Sequence, residues 1–175
     1  MNQLILKELL GDCKHIASST CTSKSSYECI SLSSFYIFDN NPVKVVDVNE
    51  RYQLTVKNDA NQEICLVKTD KCLFTNEHKK CDCILFSQNK AFFIEISNSS
   101  AGQRGKKRKD AVEQLSATID KLRENNIDLS SYNSKAIICF EREHKYPAQP
   151  SKNTQKAIFQ EKYNTDLEEG NEIAF

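Results

Sequence analysis

The chain has 175 residues and a mass of 20.0 kDa, room for one core of ordinary size. Lys plus Arg and Asp plus Glu number 24 each, so no net charge draws the whole molecule to nucleic acid or to an acidic membrane, and any polyanion site has to be local. A hydrophobic content of 39% with 27% charged residues excludes a disordered chain, and apolar runs such as AFFIEI fall far short of the roughly 20 residues of a membrane span.

At the start, NQLILKELLG sets Leu4, Ile5, Leu9 and Leu10 on one helical stripe, with Gly11 as a stop, and predicts an opening helix. The opening lacks a basic segment followed by a long apolar one, so the expected location is cytoplasmic. After a Ser/Thr-rich loop, the character changes at Tyr27. YECISL, FYIFD, VKVVDV, YQLTV and EICLVKT are short β-prone runs separated by turn residues such as DNNP and NDANQ, and they predict a meander of antiparallel strands. CDCILF and AFFIEIS continue as a hairpin turned at SQNK. In the following segment Ala111, Val112, Leu115, Ile119 and Leu122 keep helical spacing, and Asn125 with Asn126 mark the end. KAIICF then reads as a strand buried on both faces, so strand, helix and strand form a βαβ unit with parallel strands. A helix around TQKAIFQEKY and a strand at EIAF complete a single domain over 1–175.

The eight cysteines are too few for a disulfide scaffold in a chain of this length without an export signal, and reduced thiols acting as small hydrophobes are expected. Cys72, Cys81 and Cys83 lie near His78, but their spacing lacks the paired knuckles of a structural zinc site, and Cys81 and Cys83 are expected on one strand face. Zinc is therefore not expected. No Ser/His/Asp set, P-loop or dinucleotide fingerprint is present.

Within the hairpin, a two-residue turn at Gln88 and Asn89 or a four-residue loop from Ser87 to Lys90 makes Phe86 face Ala91 and Asp82 face Glu95. Alternation then puts Asp82, Ile84 and Phe86 on one side with Phe93, Glu95 and Ser97. Like charges opposed across neighbouring strands destabilise a sheet, and a hard divalent cation held by one or two carboxylates would neutralise them. Lys80 falls on the same face and offers an ammonium for orienting water or stabilising a transition state. The competing reading is an exposed amphipathic hairpin whose acids are balanced by Lys79, Lys80 and Lys90. GQRGKKRKD brings Arg104, Lys106, Lys107, Arg108 and Lys109 into a loop beside the acids, where they would grip a phosphate backbone.

At these residues the chain resembles the PD-(D/E)XK nuclease superfamily, over roughly residues 63–140. In that pattern one strand carries the Asp, the next carries Glu-x-Lys, and a helix with a Gln-Leu pair follows. CDCILF, FFIEIS and AVEQLSATI fit it, except that Ser97 stands where the pattern has Lys. The resemblance implies an α/β, restriction-endonuclease-like core, an antiparallel β-meander plus a βαβ unit with flanking helices. It implies Mg2+ or Mn2+ held by Asp82, Glu95 and the Ile96 carbonyl, with Gln114 as an auxiliary catalytic residue. Lys80 is the first candidate for a relocated ammonium, Lys106 or Lys107 the second, and Glu8 of the opening helix a further acid. The implied activity is cleavage of phosphodiester bonds, in DNA before RNA, in DNA processing or phage defence, as a homodimer or a subunit of a larger complex. The alternative is a catalytically inactive protein that keeps the scaffold for binding.

Overall fold

The structure, a computed structural model, describes residues 27–40, 42–70, 73–74, 77–98, 103–140 and 151–175. The expected opening helix with Glu8, the loop after it, and Cys13, Cys21 and Cys72 lie outside the described residues. In chain order the elements are β1 (Tyr27–Ile30), β2 (Ser34–Asp39), β3 (Val43–Val46), β4 (Leu54–Lys57), β5 (Ile64–Lys68), β6 (Cys83–Phe86) and β7 (Lys90–Ser97). They continue as α1 (Arg104–Glu124), β8 (Asn133–Phe140), α2 (Ser151–Tyr163), β9 (Thr165–Glu169) and β10 (Glu172–Ala174).

The strands form two sheets rather than one meander, ordered β1-β5-β6-β7-β8-β9 and β10-β4-β2-β3. Burial explains the division. Every residue of β6, and all of β7 except Lys90, is buried, so the central sheet needs cover on both faces, whereas β4 alternates and presents one apolar face. On one face Ile84, Phe86, Phe93, Ala136 and Ile138 pack against Leu115, Ile119 and Leu122 of α1 and Phe159 of α2. On the other, Leu85, Phe92, Ile94 and Ile137 pack against Phe35, Ile37, Leu54 and Val56 of the smaller sheet. The larger sheet is mixed: β5, β6 and β7 are antiparallel neighbours, while β7, β8 and β9 run parallel. The molecule is thus an α/β protein in which β7, α1 and β8 make the expected βαβ unit.

Helix α1 buries Arg108, Ala111, Leu115, Thr118, Ile119 and Leu122, spaced by three or four residues along one stripe apart from the adjacent Thr118–Ile119 pair. It ends as expected at Asn125 and Asn126. Asn126 adopts φ 58°, a conformation Asn tolerates, and the Ile127 N–H closes onto the Leu122 carbonyl at 3.0 Å. The start differs from expectation: the basic run is not a loop, because α1 already begins at Arg104. Arg108, three residues before Ala111, extends the buried stripe by one turn.

Expectations for the cysteines are corrected in two places. Cys29 and Cys65, register partners across β1 and β5, form a disulfide, so not all thiols are reduced. Cys81 and Cys83 also go to opposite faces, Cys81 toward the helices and Cys83 toward the smaller sheet, since regular alternation begins only at Cys83. Cys81, Cys83 and Cys139 are free and buried. Burial pushes the Cys81 and Cys139 thiols up to about 12 and Cys83 well above its ordinary range, so they are protonated packing groups. Among the described residues, no helix is long and apolar enough to cross a membrane.

Candidate metal centre at the end of the central hairpin

The hairpin has the register expected from a two-residue turn. Phe86 pairs with Ala91 and Cys83 with Ile94, and the Ser87 N–H donates to the Lys90 carbonyl at 3.0 Å around Gln88 and Asn89. Continued regularly, the ladder would make Cys81 and Ile96 exchange backbone hydrogen bonds. It opens instead. The Asp82 N–H donates to the Ile94 carbonyl (3.0 Å), and the Cys81 N–H turns to Thr118 Oγ1 on α1 (2.8 Å). The Cys81 carbonyl accepts from the Thr69 hydroxyl. Asp82 therefore sits on a β-bulge, a feature that re-aims side chains at the ends of strand pairs.

The bulge brings Asp82 and Glu95 together differently from a plain opposed pair. Asp82 Oδ2 takes the place of the missing ladder carbonyl and accepts the Ile96 N–H at 2.6 Å. Asp82 is thus bonded to the residues on both sides of Glu95. The Cys81 N–H, which an unbroken ladder would have offered to the Ile96 carbonyl, donates to α1 instead.

Glu95 is buried and Asp82 half-buried, and neither is comfortable as an anion. Burial pushes Asp82 from 3.8 up to about 7; the charges of Asp39 and Asp70 add to the rise, and the Ile96 N–H and Lys80 oppose it. Glu95 is only 7% exposed and is pushed well above its ordinary value, first by burial, then by Asp82 and Asp39, while a hydrogen bond from Gln114 holds it back. One oxygen of Glu95, Oε2, is buried and has no hydrogen-bond partner among the described residues. A buried carboxylate oxygen without a donor is costly as an anion unless the acid keeps its proton or a cation meets it.

Asp82, but not Glu95, opens onto a cleft of about 410 Å³ lined also by Asp70, His78, Lys79, Lys80, Asp110 and Gln114. Lys80 Nζ stands 3.0 Å from Asp70 Oδ1, both side chains being largely buried, and its charge reaches Asp82. Gln114 Nε2 donates to the Lys80 carbonyl at 3.1 Å, so one side chain of α1 holds both the lysine's backbone and Glu95. The lysines expected to balance the acids are engaged elsewhere as well: Lys79 pairs with Glu113, and Lys90 lies by the Ala174 carbonyl and the Phe175 ring. Ser97 is 7% exposed and pairs with Phe140 of β8.

The basic run divides in two. Arg108 bonds Glu169, Arg104 lies 3.8 Å from the same carboxylate, and both guanidinium groups lie over the Phe140 ring. Lys106, Lys107 and Lys109 are exposed on the first turns of α1, which carries no acid in its first turn. Asp39 and Asp70 are the site's acids that sequence reasoning missed. Asp39 ends β2 in the other sheet, and Asp70 lies two residues past β5, beside Thr69 whose N–H donates to the Asp82 carbonyl at 3.2 Å. Extending the β5–β6 register past the strand ends sets Thr69 opposite Asp82 and Asp70 opposite Cys81, so it would not have put Asp70 on the acids' face; no local signal points to Asp39.

Two carboxylates held above their ordinary pKa, Glu95 in part by the charge of Asp82 and with an oxygen that lacks a partner among the described residues, are the donor type a hard divalent cation takes. Comparison with family models, with curated proteins and with solved structures returns no match.

Proposed function

We propose that the chain is a divalent-metal-dependent nuclease of the PD-(D/E)XK type, cleaving phosphodiester bonds in DNA before RNA. The observation that carries this reading is the buried Glu95 Oε2, without a donor among the described residues, on an acid that feels the charge of Asp82, which lines a polar cleft and whose charged neighbours are mostly other acids. The order of β5, β6, β7, α1 and β8, an antiparallel trio followed by a helix and a parallel strand, is the order the resemblance implies. Asp82, Glu95 and the Ile96 carbonyl would hold Mg2+ or Mn2+. Such an ion supplies a lowered pKa for bound water and neutralises charge on the phosphoryl oxygens.

The protein's own groups supply the rest. Lys80, in the cleft wall and oriented by Asp70, brings the ammonium that Ser97 lacks and stabilises charge on a phosphate oxygen. Gln114 fixes the Glu95 carboxyl and the backbone of Lys80. Lys106, Lys107 and Lys109, at the positive end of the α1 dipole, bind backbone phosphates without reading sequence. A second reading, a non-catalytic binding protein acting as a subunit or a dimer, is favoured by Ser97 and by the Lys80–Asp70 ion pair.

Incubating the purified protein with single- and double-stranded DNA and RNA in Mn2+, beside Asp82→Ala and Glu95→Ala variants, separates the two. Cleavage by the parent alone supports the nuclease. Absence of cleavage together with absence of calorimetric Mn2+ binding supports the platform.

A further inference from the structure

The edge of the larger sheet far from the acids carries a different ligand set. Glu63 and Cys65 are two residues apart and so project on one side of the chain entering β5, and the register puts Cys29 of β1 directly opposite Cys65. The sulfurs of Cys29 and Cys65 and a carboxylate oxygen of Glu63 all lie within 4.8 Å of one another. Cys29 and Glu63 are exposed, whereas Cys65 is fully buried, so the group opens outward at the margin of the sheet.

We propose that Cys29, Glu63 and Cys65 form a zinc site that exchanges with the Cys29–Cys65 disulfide. Two thiolates and one carboxylate select zinc over the hard cations suited to the all-oxygen Asp82 and Glu95 centre. Zinc–sulfur bonds of about 2.3 Å at a tetrahedral angle set two bound sulfurs roughly 3.8 Å apart, a separation that side-chain rotation across one strand pair allows. Three protein ligands leave a fourth position for water or for a ligand from solvent.

The two states exclude each other, and the chemistry balances. A dithiol reductant delivers two electrons and two protons to the disulfide and is itself oxidised to a disulfide, leaving two protein thiols. Zinc then displaces both thiol protons as the two zinc–sulfur bonds form. In either state β1 remains tied to β5; only the tie changes.

The test uses the full chain, reduced with a phosphine or oxidised, dialysed against zinc in excess Mg2+ and assayed for bound metal and for affinity against a chromophoric chelator. Reduced protein is expected to hold one zinc per chain more than oxidised protein. Cys29→Ser should lose that equivalent, with affinity falling by about 100-fold or more, and Glu63→Gln should weaken it about 10-fold. Both substitutions are at exposed positions, and circular dichroism checks that the variants fold. Cobalt in place of zinc should give a thiolate charge-transfer band in the parent and not in Cys29→Ser. Zinc bound as tightly by Cys29→Ser or by the oxidised chain, or no zinc in the reduced parent, would overturn the proposal.

Discussion

Replacing Asp82 by Asn tests whether the buried acids strain the metal-free protein. The folded-state value of about 7 is roughly three units above the ordinary 3.8, and at 1.36 kcal/mol per unit the charged form costs the fold about 4 kcal/mol. The sign follows from proton counting. Between about pH 4 and 7 the unfolded chain has lost this proton and the folded one keeps it, so stability falls as pH rises, then levels off once both are ionised. Glu95 shifts in the same direction and extends the decline. Asn keeps an oxygen to accept the Ile96 N–H but carries no charge. Metal-free Asp82→Asn should therefore match the parent within about 1 kcal/mol at pH 4 and exceed it at pH 8 by about 2–4 kcal/mol, given relaxation around the pair. At about 2–4 °C per kcal/mol, that raises Tm by roughly 5–15 °C. Mn2+ at 100 times its Kd should stabilise the parent at pH 8 by about 2.7 kcal/mol and leave the variant unchanged. Thermal unfolding across pH 4–8.5, with and without Mn2+, reads all of this. A variant less stable than the parent at pH 8 would mean that Asp82 is an anion already satisfied by Lys80, and the case for a cation would fail.

Lys80→Gln should keep the Mn2+ stabilisation while lowering cleavage by about 100-fold or more, separating chemistry from metal binding; equal loss of both would make Lys80 a structural residue. Thr118→Val removes the acceptor of the buried Cys81 N–H and should cost about 1–3 kcal/mol in urea unfolding, with a parallel weakening of Mn2+ binding. Changing Lys106, Lys107 and Lys109 together to Gln should make the salt dependence of DNA binding shallower by about 2–3 in log–log slope. An unchanged slope would place the phosphate contacts elsewhere. A Cβ added at Gly105 meets nothing within 4 Å, so Gly105→Ala should stabilise α1 by about 0.5–1 kcal/mol in the same unfolding assay.

Much of the fold is legible because short-range rules govern it. A two-residue turn leaves one register for β6 and β7, and Asn125–Asn126 ends α1 where an Asn tolerates positive φ. What escaped depends on contacts between distant segments. Strand β9, TDLEE, lacks the apolar alternation of a strand because Asp166 and Glu168 face outward, and it exists by pairing with β8 at the sheet edge. The division into two sheets follows from the double-sided burial of β6 and β7, which their apolar runs suggest but whose covering layer they do not name. The site was legible as Asp82, Glu95, Lys80 and Gln114. The bulge at Asp82 was not, because it depends on Thr118 of α1 and Thr69 after β5 taking the backbone groups of Cys81.

That bulge decides how the acids can be used. In an unbroken ladder the Ile96 N–H and C=O would both be satisfied by Cys81, and Asp82 and Glu95 would be two opposed side chains free to reach for surface lysines. With the ladder open, Asp82 Oδ2 accepts the Ile96 N–H, which fixes the carboxylate at the wall of the cleft. Among the described residues Glu95 Oε2 has no donor, and the Cys81 N–H that an unbroken ladder would offer to the Ile96 carbonyl goes to Thr118. Among the described residues the nearby cations have acids of their own: Lys80, whose charge reaches Asp82, is with Asp70, and Lys79, in the cleft wall, is with Glu113. Neutralising the pair from within would cost one of those bonds, whereas a hydrated divalent ion entering from the cleft costs none. The arrangement therefore favours a ligand of positive charge from solvent, and the Lys80–Asp70 contact keeps an ammonium beside that ligand without letting it fill the site.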